Sequence, residues 1–177
     1  RVSRKKMLGE GKSLARDLKA LWSYKSGGAF LTLSAADLNG DGVDEVIAAG
    51  RGGSVSAVSK GKALWKFQTG DEVRSVCAAD LQRDGKPEVI VGSADTKVYV
   101  LNSKGKKQWD FEIPLYYRKP MLKTVFAGDI DGDGNLEVIA GAESWRYYAF
   151  THDGKELWHH MTVHSSTHGC AADIDGD

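Results

Sequence analysis

Asp129-Ile130-Asp131-Gly132-Asp133-Gly134-Asn135-Leu136-Glu137-Val138-Ile139-Ala140-Gly141 joins an acidic, glycine-punctuated loop directly to an apolar β run. Two earlier stretches repeat it: Asp37 to Gly50 reads DLNGDGVDEVIAAG, and Asp80 to Gly92 reads DLQRDGKPEVIVG. Another copy begins at Asp173-Ile174-Asp175-Gly176-Asp177. A second motif alternates with the first: Leu21-Trp22, Gly61-Lys62-Ala63-Leu64-Trp65, Gly105-Lys106-Lys107-Gln108-Trp109 and Gly154-Lys155-Glu156-Leu157-Trp158. Both motifs step along the chain by 43, 44 or 49 residues. A repeat of that length is one supersecondary unit, which buries its faces only by stacking on neighbours.

Each repeat breaks into four short β runs bounded by turn residues. The first gives Leu31 to Ala36, Glu45 to Ala49, Ser54 to Val58 and Lys62 to Phe67. The second gives Arg74 to Ala79, Pro87 to Gly92, Lys97 to Leu101 and Lys106 to Phe111. The third gives Lys123 to Gly128, Leu136 to Gly141, Trp145 to Thr151 and Lys155 to His160. The second run of each is the most continuously apolar, as suits a strand buried on both faces. Four antiparallel strands repeated in tandem at this spacing predict an all-β β-propeller. Three complete blades fall at about 31–67, 74–111 and 123–160, with partial blades at both ends and the next starting at 168. The Trp22 segment is expected to be an outer strand of a preceding blade, or of a closing blade shared by both termini. Residues 1–19, with seven basic side chains, read as a linker or an eroded repeat, and 20–177 as an incomplete propeller. The remaining blades of the same chain would then be its first partners.

Hydrophobic content of 41% and charged content of 27% describe a globular chain with no disordered bias. The formal net charge of zero gives no sign of nucleic-acid binding, and no apolar run is long enough to insert in a membrane. Cys77 and Cys170 occupy equivalent Cys-Ala-Ala-Asp positions. They are expected to be small side chains on inner strands rather than a disulfide pair.

The acidic loops place oxygens at alternating positions, which is how a hard cation such as Ca²⁺ is gathered. In the first loop these are Asp37, Asn39, Asp41, the carbonyl of Val43, and Glu45. In the third they are Asp129, Asp131, Asp133, the carbonyl of Asn135, and Glu137. The second loop offers Asp80, Asp84 and Glu88, but Gln82, Arg83 and Lys86 oppose a cation there. The partial copy would offer Asp173, Asp175 and Asp177. Charge count ranks affinity as third loop, then first, then second, on the order of 10⁻⁴ to 10⁻³ M. Metal-free hairpin loops remain the alternative, because Asp, Asn and Gly also favour tight turns.

The D-x-[DN]-x-D-G-x-x-E-V-I-x-G pattern resembles the FG-GAP/VCBS repeats found in integrin α-subunit propellers and many bacterial surface proteins. That resemblance covers roughly Leu31 to Asp177. It implies Ca²⁺ at the matching loop positions, and the weak affinities expected there imply a calcium-rich extracellular, cell-surface or periplasmic setting. Gln82 departs from the pattern. The Gly-Lys-x-x-Trp runs resemble the docking tryptophans of PQQ-like propellers. PQQ itself is not expected, since the chain lacks an adjacent cysteine pair and the acidic loops recur blade by blade.

With the first strand of each blade innermost, the acidic loops and the Asn102-Ser103-Lys104-Gly105 type turns share one face. The opposite face collects the irregular loops: Arg74, Tyr116, Tyr117 and Arg118, Trp145 and Arg146, and His164 and His168. Variable loops on a rigid scaffold are where binding resides, and aromatic and Arg side chains suit protein or carbohydrate ligands. The histidines there would also be able to hold a transition metal, or simply be solvated. No nucleophile–base set is evident. The expected function is therefore a non-catalytic ligand-binding or adhesion scaffold. The alternative is the propeller part of a polysaccharide-active or quinoprotein-like enzyme with catalytic residues elsewhere.

Overall fold

The computed structural model describes residues 19–116, 119–164 and 166–171. Its twelve strands form three four-stranded antiparallel sheets. The first is β1 (Phe30–Ala36), β2 (Glu45–Gly50), β3 (Ser54–Ser59) and β4 (Lys62–Gln68). The second is β5 (Val73–Ala79), β6 (Glu88–Ser93), β7 (Lys97–Leu101) and β8 (Lys107–Glu112). The third is β9 (Leu122–Gly128), β10 (Glu137–Ala142), β11 (Arg146–Phe150) and β12 (Glu156–Met161). Strand order within each sheet follows the chain, so every blade is a meander.

Two-residue periodicity explains the packing between blades. On β6, Val89 and Val91 enter the core shared with the first blade, whereas Ile90 enters the core shared with the third. On β7, Tyr99 and Leu101 face the first blade, and Val98 and Val100 face the third. The middle blade is thus apolar on both faces, and β6 is buried throughout. The first strands are the innermost. The amide of Ala78 on β5 donates to Ser34 Oγ on β1 (3.2 Å), and the amide of Val125 on β9 donates to Ser75 Oγ on β5 (3.0 Å).

The tryptophan motif forms the outer part of each seam. Trp65 Nε1 donates to the Ser103 carbonyl and Trp109 Nε1 to the His152 carbonyl, each at 2.9 Å. Each indole reaches the β-turn of the next blade and lies against its glycine. A Cβ built on Gly105 would come within 2.5 Å of the Trp65 ring, and one on Gly154 within 2.6 Å of Trp109. Both glycines also hold positive φ, so the motif's Gly and Trp are the two halves of one contact made between successive repeats.

Two expectations need correction. Residues 19–29 form no strand. The segment nevertheless passes the first blade's Gly61, where a Cβ would meet the Ser23 carbonyl at 3.1 Å and Trp22 Cβ at 3.4 Å. With no described strand beside it, the segment keeps a close approach to that turn but not the ladder. Trp158 is 45% exposed, and most of the blade that would follow it lies outside the described residues. Cys77 is half-buried on β5, but Cys170 is exposed and outside any strand; both thiols are free.

Candidate functional site

Each acidic loop is tied down by its own first aspartate. Asp37 accepts the amides of Gly40 and Gly42, both at 2.7 Å. Asp80 accepts those of Asp84 (3.0 Å) and Gly85 (2.7 Å). Asp129 accepts those of Gly132 (2.8 Å) and Gly134 (3.2 Å). These amides hold the Asp37 carboxyl below its ordinary range, the Gly42 bond contributing most.

The glutamate that closes each loop is buried and has a role that position counting does not show. Glu45 accepts the Leu38 amide (3.1 Å), Glu88 the Leu81 amide (3.2 Å) and Glu137 the Ile130 amide (2.8 Å). In every blade it pins the second loop residue to the start of the second strand. Burial pushes the Glu88 and Glu137 carboxyls up, and the neighbouring aspartates add to the rise. One signal in the sequence pointed to this role: the glutamate recurs even in the loop whose Gln82, Arg83 and Lys86 oppose a cation.

The three loops differ in what they gather. Among the described residues, one group of His, Cys, Asp or Glu side chains brings three ligand atoms within 4.8 Å of one another: Asp129, Asp131 and Glu137. Asp133 instead accepts the Asn135 amide at 2.7 Å, and that bond is the main cause lowering its pKa. In the first loop, Asn39 turns its amide nitrogen to Glu45 Oε1 (2.9 Å) and its oxygen to the Asp41 amide (2.9 Å). Asp41 Oδ1 accepts the Val43 amide at 2.9 Å. Asp37, Asp41 and Glu45 do not converge as the third loop's carboxylates do. In the second loop, Lys86 pairs with Asp84 at 3.2 Å and Gln108 donates to Glu88 at 3.3 Å. Arg83 does not neutralise its own loop. Its Nη2 lies 3.7 Å from Asp129 Oδ2, in the loop with the most carboxylates. Asp173, Asp175 and Asp177 lie outside the described residues.

The acidic loops and the β-turns do share a face. Asn39, Gly40, Asp84, Gly85 and Lys86 line one groove of about 700 Å³ with Trp65, Ser103 and Lys104. A model of FG-GAP-like repeats matches residues 37–91 and 80–140, together more than half of the chain. The chain belongs to the FG-GAP-like repeat family. Solved structures agree on the fold. BamB from Moraxella catarrhalis superposes with a TM-score of 0.60 at 16% identity, over 80% of this chain and 39% of its own. The Vibrio cholerae biofilm matrix protein Bap1 gives 0.55 at 23% identity, over 76% and 21%. BBS1N, solved in complex with ARL6DN, gives 0.57 at 15% identity, over 74% and 37%. The chain spans well under half the length of each of these proteins. No curated protein sequence matches it.

On the opposite face, this FG-GAP-like chain varies from blade to blade. Arg74 pairs with Glu72 (2.7 Å) and reaches Glu143 of the third blade (3.6 Å), which Lys123 also approaches (3.5 Å). The Arg146 guanidinium lies 3.2 Å from the centroid of the Tyr116 ring, a cation–π contact between the blade connection and β11. Trp145 holds φ of 65° at the turn before β11, an uncommon conformation for a bulky residue, and is partly exposed. Its equivalents by position are Thr96 (φ 81°) and Gly53 (φ 76°). His168 contributes its carbonyl to the Tyr147 hydroxyl (2.6 Å), and the His164 carbonyl accepts from Thr162 (2.5 Å). Neither His164 nor His168 joins a group of three ligating side chains among the described residues. Tyr117 and Arg118 lie outside the described residues. No described helix is long and apolar enough to cross a membrane.

Proposed function

We propose that this chain is a non-catalytic propeller scaffold that binds a protein or carbohydrate ligand through its irregular face and holds structural Ca²⁺ in its third acidic loop. One contrast carries the reading. The acidic loops repeat the same internal bonding in every blade, whereas the opposite loops differ in every blade and present Tyr116, Arg146, Trp145 and Arg74. Constancy suits support, and variation on a rigid frame suits recognition. The similarity to BBS1N, solved with a protein partner, and to a biofilm matrix protein is in keeping with a binding role.

The third loop fits Ca²⁺ by its donor set. Asp129, Asp131 and Glu137 offer hard carboxylate oxygens in one cluster, with no soft ligand among them. Bound there, the ion would neutralise mutually repelling carboxylates, one of them buried. Weak affinity of this kind works in a calcium-rich setting, so we place the protein outside the cytoplasm.

Calorimetric titration and thermal melting in Ca²⁺ test the support role. Asp131→Ala should remove most of the Ca²⁺-dependent gain in melting temperature, while Gln82→Ala should leave it intact. Equal effects, or no response in the parent, would make the loops plain turns. Glycan-array and pull-down binding, compared between the parent and an Arg146→Ala/Trp145→Ala variant, test the face. A bound ligand that ignores both substitutions would place recognition elsewhere.

A further inference from the structure

We propose that Arg83 is a tethered counter-ion of the third acidic loop, one that competes with a divalent cation for Asp129 and holds the second and third blades together when the cation is absent. This inference rests on the Ca²⁺ reading of that loop. Arg83 belongs to the second loop, yet its guanidinium approaches Asp129 Oδ2 at 3.7 Å rather than the acids beside it. Its backbone is left-handed, φ 53°, at the loop's fourth position. The two loops are also joined by the main chain, the Leu136 amide donating to the Leu81 carbonyl at 2.8 Å. Asp129 is therefore shared: its oxygens accept Gly132 and Gly134, lie within the Asp129, Asp131 and Glu137 cluster, and meet Arg83.

A cluster of carboxylates repels itself, and any positive charge placed nearby relieves it. Arg83 supplies one charge from across the seam; Ca²⁺ would supply two at the centre. The two are alternatives, since a cation at Asp129 is repelled by a guanidinium within a few ångströms. Binding Ca²⁺ must therefore displace or weaken the Arg83 contact. By linkage, the contact lowers Ca²⁺ affinity by the same factor that Ca²⁺ lowers the contact. Arg83 is 60% exposed at its side chain, so the factor is that of a surface pair. It should amount to about a twofold to fivefold change in affinity, shrinking as salt screens it.

The experiment is Ca²⁺ titration and thermal melting of the protein, with Arg83→Gln and Arg83→Lys beside the parent. Arg83→Gln should melt lower than the parent in EDTA and bind Ca²⁺ about twofold to fivefold more tightly, so that its gain on adding Ca²⁺ is the larger. Arg83→Lys, which keeps the charge, should stay close to the parent in both. A Ca²⁺ response of equal size in all three proteins would overturn the role of Arg83 and leave the Ca²⁺ site standing. Weaker binding by Arg83→Gln would overturn it as well. No response in any of the three would overturn both readings together.

Discussion

Trp109→Ala should lower the unfolding free energy of the 177-residue chain by about 3 kcal/mol, at the lower end of the range for removing a large aromatic from a core because the ring is only partly buried. The ring fills the seam between the second and third blades. It packs 5.8 Å from Phe150 and donates to the His152 carbonyl at 2.9 Å. Truncation opens a cavity against the third blade and orphans that carbonyl. Gly154→Ala attacks the same contact from the other side without removing an atom. Its Cβ would meet Trp109 at 2.6 Å and would sit at φ of 90°, so a cost of about 2 kcal/mol is expected. Trp158→Ala, the equivalent substitution where no described blade covers the ring, should cost less than about 1 kcal/mol in this chain. Denaturant titration at unchanged m-value measures all three. Equal losses for Trp109→Ala and Trp158→Ala would mean that the indoles stabilise their own strands and not the seams.

Much of the architecture was legible because each strand is a short apolar run punctuated by turn residues, a local signal. Lys97–Leu101 falls where the alternation puts it, and the other strands lie within a residue or so at most ends. The failures are non-local. Trp22 has a strand-like motif but no described ladder partner, and no local pattern reveals that. The destination of Arg83 is set by the stacking of two blades, so counting its charge within its own loop assigned it to the wrong carboxylates. The same limit applies to the ligand atoms. Charge count ranks the third loop above the first but does not show which atoms meet: Asn39 closes on Glu45 in the first loop, while Asp129, Asp131 and Glu137 converge in the third. On the irregular face, the stack of Arg146 on Tyr116 joins a connection to a strand, and nothing periodic in the sequence links them.

Glu88→Ala should cost about 2 kcal/mol at neutral pH, and the gap to the parent should widen as the solution is made acidic. Glu88 is buried and accepts the amide of Leu81, a fully buried residue, while Gln108 donates to its other oxygen. Removing the carboxylate leaves the Leu81 amide without an acceptor, and an unsatisfied buried donor costs about 1 to 3 kcal/mol. The pH dependence follows from the direction of the shift. Burial raises the Glu88 carboxyl above its unfolded value, and the charges of Asp84 and Asp80 raise it further, against the lowering effect of the Leu81 and Gln108 bonds. Between the unfolded and folded pKa values the folded state keeps a proton that the unfolded state has released. Stability contributed by this group is therefore lost as pH rises through that window and regained as pH falls through it. The alanine variant has no such proton, so it should lack that gain. Glu88→Gln, neutral at every pH and still able to accept from Leu81, should sit near the parent and show the flatter pH response of the alanine variant. Unfolding curves of the three proteins across the weakly acidic range measure this. A gap between parent and Glu88→Ala that narrows on acidification would show that the carboxylate is stabilised by its two hydrogen bonds more than it is penalised by burial. Asp80 and Asp84 would then be too well solvated to act on it.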